Sequence, residues 1–181
     1  MKADRRHEYY LKARPFAAFL EEAVANRDLW HSIARRAQLQ PDQLLAARGL
    51  ASKWHLLVLL EDWCGDAVNT IPVLARLAEE VPGLELRVLR RDENLALMNE
   101  HLSHGSRSVP VVMLLDAGLV ERAWWGSRPA ELQQWIDTFG QSMSKEVRYR
   151  EARRWYARDH GRSAVGEILF LLSELEGAMA A

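Results

Sequence analysis

One stretch of the chain, His55 to Val81, limits the fold more than any other. It opens with His55-Leu56-Leu57-Val58-Leu59-Leu60-Glu61, a short continuous apolar run with a β-branched member. Such a run reads as a strand buried on both faces, and strands of that kind belong to sheets covered by helices. After Asp62-Trp63-Cys64-Gly65, residues Ala67, Ile71, Leu74, Ala78 and Val81 fall on one face of a helix that Pro82-Gly83 stops. Pro72 interrupts its interior. A proline there deletes one backbone hydrogen bond, so either the helix bends or its boundary lies elsewhere.

The remaining segments build around that unit. Residues 8 to 48 read as helix, with Phe16, Phe19, Leu20, Ala23 and Val24 on one stripe and Leu29, Trp30, Ile33 and Ala37 beginning a second. Pro41 starts a further short helix after a break at Gln40, and Gly49 closes the section. Leu84 to Leu89 alternates as a second strand, followed by a helix from Glu93 to His101. A loop from Ser103 to Ser108 leads through Pro110 to a third buried strand, Val111 to Leu115, with Asp116-Ala117-Gly118 as the turn and Leu119 to Trp125 as its hairpin partner. Gly126 and Pro129 bracket the start of a helix carrying Leu132, Trp135, Ile136 and Phe139. Two more helices are expected, Lys145 to Arg158 and Ser163 to Gly177, the latter with Val165, Ile168, Leu169, Leu172 and Leu175 on one face. The order predicts an α/β fold: a mixed β-sheet flanked by helices, with extra N-terminal and C-terminal helices.

With 181 residues, 49% of them hydrophobic, the chain suits one domain whose core needs no staples. Its single cysteine, Cys64, excludes an intramolecular disulfide and the paired thiols of a zinc or iron–sulfur site within one chain. The first 14 residues lack the apolar stretch of a secretory signal, and no apolar run approaches the roughly 20 residues of a membrane span. A cytoplasmic protein with no membrane contact is expected. The formal net charge of −1 exerts no global pull toward nucleic acid.

Trp63-Cys64-Gly65-Asp66-Ala67, directly after a buried strand and opening a helix, resembles the Trp-Cys-Gly-Pro-Cys site of the thioredoxin superfamily. Pro72 lies eight residues past the cysteine, where thioredoxins also carry a helix-kinking proline. Ser108-Val109-Pro110 resembles the family's X-Pro loop, which implies that Pro110 is cis and faces the active cysteine. Gly118 and Gly126 match the hairpin-turn glycine and the glycine before the last helix, and Arg91-Asp92-Glu93-Asn94 resembles the Asp-containing turn after the second strand. The motif is most similar to that of a bacterial, single-cysteine subgroup carrying Cys-Gly-Asp-Ala or Cys-Gly-Asp-Ser. The resemblance covers residues 52 to 140, the thioredoxin-like core. Residues 1 to 51 and 141 to 181 are then helical extensions, the second packed on the same domain, and they cover the sheet or make a homodimer interface.

Two departures from the family bear on chemistry. The position of the resolving cysteine, whose thiolate would attack the mixed disulfide, is Ala67. The buried acid six residues before the cysteine is replaced by Val58. Cys64 keeps its place at a helix N-terminus, where unpaired N–H groups and the dipole favour a thiolate. Asp66 opposes that charge, and Glu61 and Asp62 add to the opposition. A modestly activated thiol is expected, with the sign of the net effect open. Asp66 itself reads first as a stabilising first-turn residue. By the resemblance, Trp63 and Pro110 flank Cys64 in a shallow apolar groove for an extended peptide or small thiol, and the backbone of Val109 pairs with bound substrate.

Asp62, Cys64 and Asp66, even with His55, show no recognised metal-ligand spacing. His101 and His104 read as solvent-exposed residues at a helix C-terminus. The basic, aromatic stretch from Lys145 to Arg162 reads as a solvated helix face with its aromatics buried rather than a nucleic-acid surface. Trp124 and Trp125 point to opposite sides of a strand. The leading expectation is monothiol thiol–disulfide exchange through Cys64 with a low-molecular-weight thiol or a protein partner. The alternative is a non-catalytic peptide- or protein-binding module on the same fold. A third reading, an iron–sulfur cluster bridged between subunits by analogy with monothiol glutaredoxins, meets the lack of their Cys-Gly-Phe-Ser motif. No cofactor is assigned.

Overall fold

The apolar run ending at Leu60 forms the middle of a sheet and is buried along its whole length. The computed structural model describes residues 2–180, with side chains described from Arg6 onward. In chain order the elements are α1 (Lys2–Lys12), β1 (Arg14–Pro15), α2 (Phe16–Glu22), α3 (Arg27–Arg36), α4 (Pro41–Arg48), β2 (Trp54–Leu60) and α5 (Gly65–Glu80). They continue with β3 (Leu84–Arg90), α6 (Leu95–Met98), β4 (Val111–Leu115), β5 (Glu121–Gly126), α7 (Ala130–Thr138), a 3-10 turn at Gly140–Ser142, α8 (Lys145–Asp159) and α9 (Arg162–Ala180). The sheet order is β1-β3-β2-β4-β5. β2 runs parallel to β3 and antiparallel to β4, which pairs antiparallel with β5. This is the mixed, helix-flanked α/β sheet expected from the sequence, with the added helices in place.

The N-terminal section differs from the expected helical run. Arg14 and Pro15 pair antiparallel with Val88 and Arg87, which adds an edge strand between α1 and α2. Proline is tolerated there because an edge strand leaves one row of N–H groups unpaired. Val24, placed on an apolar stripe by its spacing, is 83% exposed, and Leu29 and Phe139 are exposed as well. The helix expected from Glu93 to His101 shrinks to Leu95–Met98. α5 carries Pro72 buried in its interior and runs on past it to Glu80, so the element's boundary does not lie at the proline. It packs against α3, α4, α9 and β3.

The turn after β2 is held by the N-terminal helices. The Asp62 carboxylate accepts the Val24 N–H at 3.0 Å and the Ala25 N–H at 3.4 Å. Its backbone carbonyl accepts the indole N–H of Trp30 at 2.8 Å and the Asn26 side-chain amide at 3.1 Å. Trp30 is fully buried, edge-on to Phe19. Glu61 accepts the Asp92 N–H at 2.9 Å, and Arg90 reaches both acids at 3.3 and 3.4 Å. The segment that presents Trp63 and Cys64 is therefore anchored on one side by the loop between α2 and α3 and on the other by the end of β3.

Two expected outcomes follow from this anchoring. Trp30→Phe keeps the aromatic packing but removes the N–H that Asp62 accepts, and should lower unfolding free energy by about 1–2 kcal/mol, read from urea midpoints. Burial pushes the Asp62 carboxyl up, but the Val24 and Ala25 N–H groups and Arg90 hold it below the usual carboxylate range. A depressed folded-state pKa contributes stability that is complete above the unfolded value of about 3.9 and lost as pH falls through the folded value. Glu121, Asp116, Glu85 and Glu176 shift the same way. Urea midpoints should fall steeply below pH 5, and Asp62→Asn should flatten that slope.

Candidate functional site

Cys64 is the N-cap residue of α5, at the point where β2 has ended and the helix begins. Its sulfur accepts the Ala67 N–H at 3.4 Å, and its S–H donates to the Val109 carbonyl at 3.2 Å. The Val109–Pro110 peptide bond is cis. Gly126, at the end of β5, allows that loop to sit close, because a Cβ there would lie 2.5 Å from the Pro110 carbonyl oxygen. Trp63 is half exposed at the rim, with the Arg91 guanidinium 4.9 Å over its ring. Gly65 opens α5 on the solvent side, where a Cβ would meet nothing. The structure thus brings Trp63, Cys64, Gly65, Asp66, Val109 and Pro110 into one neighbourhood.

Asp66 does more than begin a helix. Its carboxylate accepts Arg128 Nη2 at 2.6 Å and Nε at 3.2 Å, and the Tyr156 hydroxyl at 2.7 Å. Arg128 comes from the segment between β5 and α7, and it also donates to Gln133 at 3.1 Å. Tyr156 comes from α8 and is buried. Three separate elements therefore meet on one carboxylate beside the thiol. Tyr156 and Arg128 escaped the sequence reading. The spacing of α8 shows a basic helix with aromatics, and nothing in it ties position 156 to a carboxylate 90 residues earlier. Arg128 carries a faint signal, two residues past the glycine that precedes α7.

These surroundings set the state of the thiol. Burial pushes the Cys64 thiol up and the Asp66 charge pushes it further; the Ala67 and Asp66 N–H groups and Arg128 pull the other way, and the result is about 11. At neutral pH the thiol is protonated, consistent with its donating to Val109 and with only 7% exposure. The expected modest activation gives way to a masked thiol, because desolvation outweighs the donors at the helix start. Glu61 and Asp62 are engaged with Arg90 and backbone N–H groups, and the carboxylate that acts most on the thiol is Asp66. Val58, at the place of the family's buried acid, is laterally paired with Val88 and Val112, so an apolar patch stands there. Ala67, at the resolving position, is fully buried.

The other candidate side chains lie elsewhere. His55, at the opposite end of β2, contacts the Tyr10 hydroxyl at 2.8 Å and Glu85 at 3.3 Å. Among the described residues no group of three or more His, Cys, Asp or Glu side chains is placed to hold a metal. His101, expected at the surface, is 1% exposed. Its Nδ1 donates to the Leu97 carbonyl at 2.9 Å and its Nε2 lies 2.7 Å from Glu121, which also pairs with Arg6. The short α6 tips this histidine inward, where its ring meets Trp124 edge-on. Trp125 is buried and donates to Glu167 of α9 at 2.6 Å. Among the described residues no helix is long and apolar enough to cross a membrane.

A central mixed strand, a helix-capping cysteine and an X-Pro loop facing it define a thioredoxin-fold protein. The chain belongs to the thioredoxin family, whose model matches residues 13–144 and so takes in α2 to α4 ahead of the central strand. Among the solved structures that share the fold, two cover nearly all of this chain. An HIV epitope-scaffold has a TM-score of 0.75 at 17% identity, covering 93% of this chain and 97% of its own. A protein of unknown function from Pseudomonas aeruginosa has a TM-score of 0.74 at 20% identity, covering 95% and 97%. Comparison with curated proteins gives no match.

Removing the Asp66 charge while keeping its shape isolates its effect on the thiol. Asp66→Asn should lower the Cys64 pKa by on the order of one unit, measured by the pH dependence of iodoacetamide alkylation.

Proposed function

We propose that this protein is a single-cysteine, Trp-Cys-Gly-Asp-Ala branch of the thioredoxin fold that binds a thiol- or disulfide-bearing partner without redox turnover of its own. The observation that carries this reading is the masked thiol: Cys64 is buried, spends its proton on the Val109 carbonyl, and has Ala67 where a resolving thiol would stand. Trp63 and Gly65 form the exposed rim of the groove, Val109 and Pro110 its wall, and Asp66 its electrostatic guard. An extended partner segment would lie against the Val109 backbone in the manner of an added strand. Residues 1–51 and 141–181 act as extensions of the core at 52–140. The reading suits a reducing compartment such as the cytoplasm, where a lone thiol persists.

The second reading is monothiol exchange, favoured by the Ala67 N–H that points at the sulfur and would solvate a thiolate. In it, the Cys64 thiolate attacks one sulfur of a small disulfide, forming a mixed disulfide and releasing the other half as a thiolate. A second thiolate then attacks the mixed disulfide at the non-protein sulfur, restores the Cys64 thiolate and leaves as a new disulfide.

The two readings separate in one set of measurements. At pH 7 the folded protein should alkylate at least about tenfold more slowly than the same chain in urea, because its thiolate fraction is smaller. It should form no mixed disulfide with glutathione disulfide that Cys64→Ser lacks, and should not accelerate insulin reduction by dithiothreitol. Faster alkylation in the folded state, with a Cys64-dependent glutathione adduct, would overturn the binding reading and establish exchange.

A further inference from the structure

Next to the thiol groove lies a small cleft that the proposed function leaves unused. It sits between the loop preceding β4 and the loop following β5, and its volume is about 190 Å³. Ser103, His104, Ser106, Ser108, Ser127, Arg128 and Gln133 line it together with Gly126. Each of these side chains is capable of donating a hydrogen bond, and among the described residues no carboxylate lines the cleft.

The wall is built before any ligand arrives. Ser103 and Ser106 exchange backbone hydrogen bonds of 3.0 and 2.9 Å across a tight turn in which His104 (φ 49°) and Gly105 (φ 76°) are both left-handed. The Ser103 hydroxyl oxygen is buried and has no hydrogen-bond partner among the described residues, a condition that calls for an explanation in a folded protein. Arg128 is fixed by Asp66 and Gln133 through three of its N–H groups, which leaves two of its five. A cleft rich in donors, free of lining acids and carrying a guanidinium held in place has the chemistry of an oxyanion site. Pockets for whole drug-sized ligands run to about 300–1,000 Å³, so this one fits a single anionic group.

We propose that this cleft binds a small oxyanion, the carboxylate or phosphate group of a ligand. The site stands on its own lining and does not require Cys64 to react. Ser108 places it immediately beside Val109, the acceptor of the Cys64 thiol.

The test is thermal unfolding in sodium phosphate, sodium succinate and sodium chloride at matched ionic strength. Phosphate or succinate should raise the Tm of the native protein above the chloride value, with a gain that grows with the logarithm of concentration. A gain with phosphate alone identifies a phosphate-bearing ligand, and a gain with succinate alone a carboxylate. Cys64→Ser should show the same gain, so that a failure of thiol chemistry leaves this result untouched. Ser108→Ala/Ser127→Ala should lose it, and His104→Asn, which tolerates the left-handed backbone, should weaken it and carries the comparison if the double variant does not fold. No gain over chloride with either anion overturns the proposal. So does an equal gain in the native protein and the variants, the signature of general exclusion of ions from the surface, and so does a gain that vanishes in Cys64→Ser.

Discussion

A strand buried on both faces imposes its requirements on everything around it. β2 presents seven consecutive buried residues, from Trp54 to Leu60, so it must be paired on both edges and covered above and below. β3 and β4 supply the hydrogen bonds, and the helices supply the cover. The harder problem is where the strand stops. Glu61 and Asp62 follow it while the chain is still inside the protein, and buried carboxylates need partners. Arg90, the Asp92 N–H, the Val24 and Ala25 N–H groups, Asn26 and Trp30 meet that need on the side chains and backbone of these two residues. The helices ahead of the central strand therefore take part in shaping the site, which accords with a family match that begins at residue 13.

The same logic runs on the far side of the cysteine. Asp66 is a charge at a helix start, and on its own it would be a favourable, solvated first-turn residue. Here Arg128 and Tyr156 converge on it from two other elements. Burial raises the cost of ionising Cys64, and an Asp66 carboxylate held in place by two donors keeps its negative charge where it opposes the thiolate. The short-range donors at the N-terminus of α5 remain, but they are outweighed. A helix N-terminus lowers a thiol's pKa, but burial in apolar surroundings raises it, and here burial prevails.

Much of this was legible from local patterns. The central strand, the motif, the hairpin and the later helices each announce themselves through apolar runs, a helical face or turn residues, and those signals survive in the folded chain. What was not legible depends on distant partners. Arg14-Pro15 is too short to show a period, and becomes a strand only because Val88 and Arg87 offer an open edge. Val24 matches a helical stripe in spacing, yet it lies past the end of α2, where its N–H serves Asp62 and its side chain faces water. His101 looked like a surface cap because histidine is common there; Glu121, brought in by the β4–β5 hairpin, makes it a buried partner instead. Arg128 and Tyr156 belong to the same class, since their roles exist only once three elements have met.

Arg128 belongs to both the thiol site and the neighbouring cleft, and this links them with a definite sign. Its charge now lies against Asp66 and offsets part of that carboxylate's effect on Cys64. An anion entering the cleft would bring a second negative charge close to the thiol and draw on the same guanidinium. Both effects disfavour the thiolate, so anion binding and ionisation of Cys64 oppose each other, and by linkage a thiolate would weaken the anion's hold to the same degree. A protein built for attack on disulfides would gain from the reverse arrangement, in which substrate binding exposes or ionises the sulfur. A coupling through Arg128 would instead keep the thiol neutral with an anion in the cleft, as suits a contact surface better than a nucleophile.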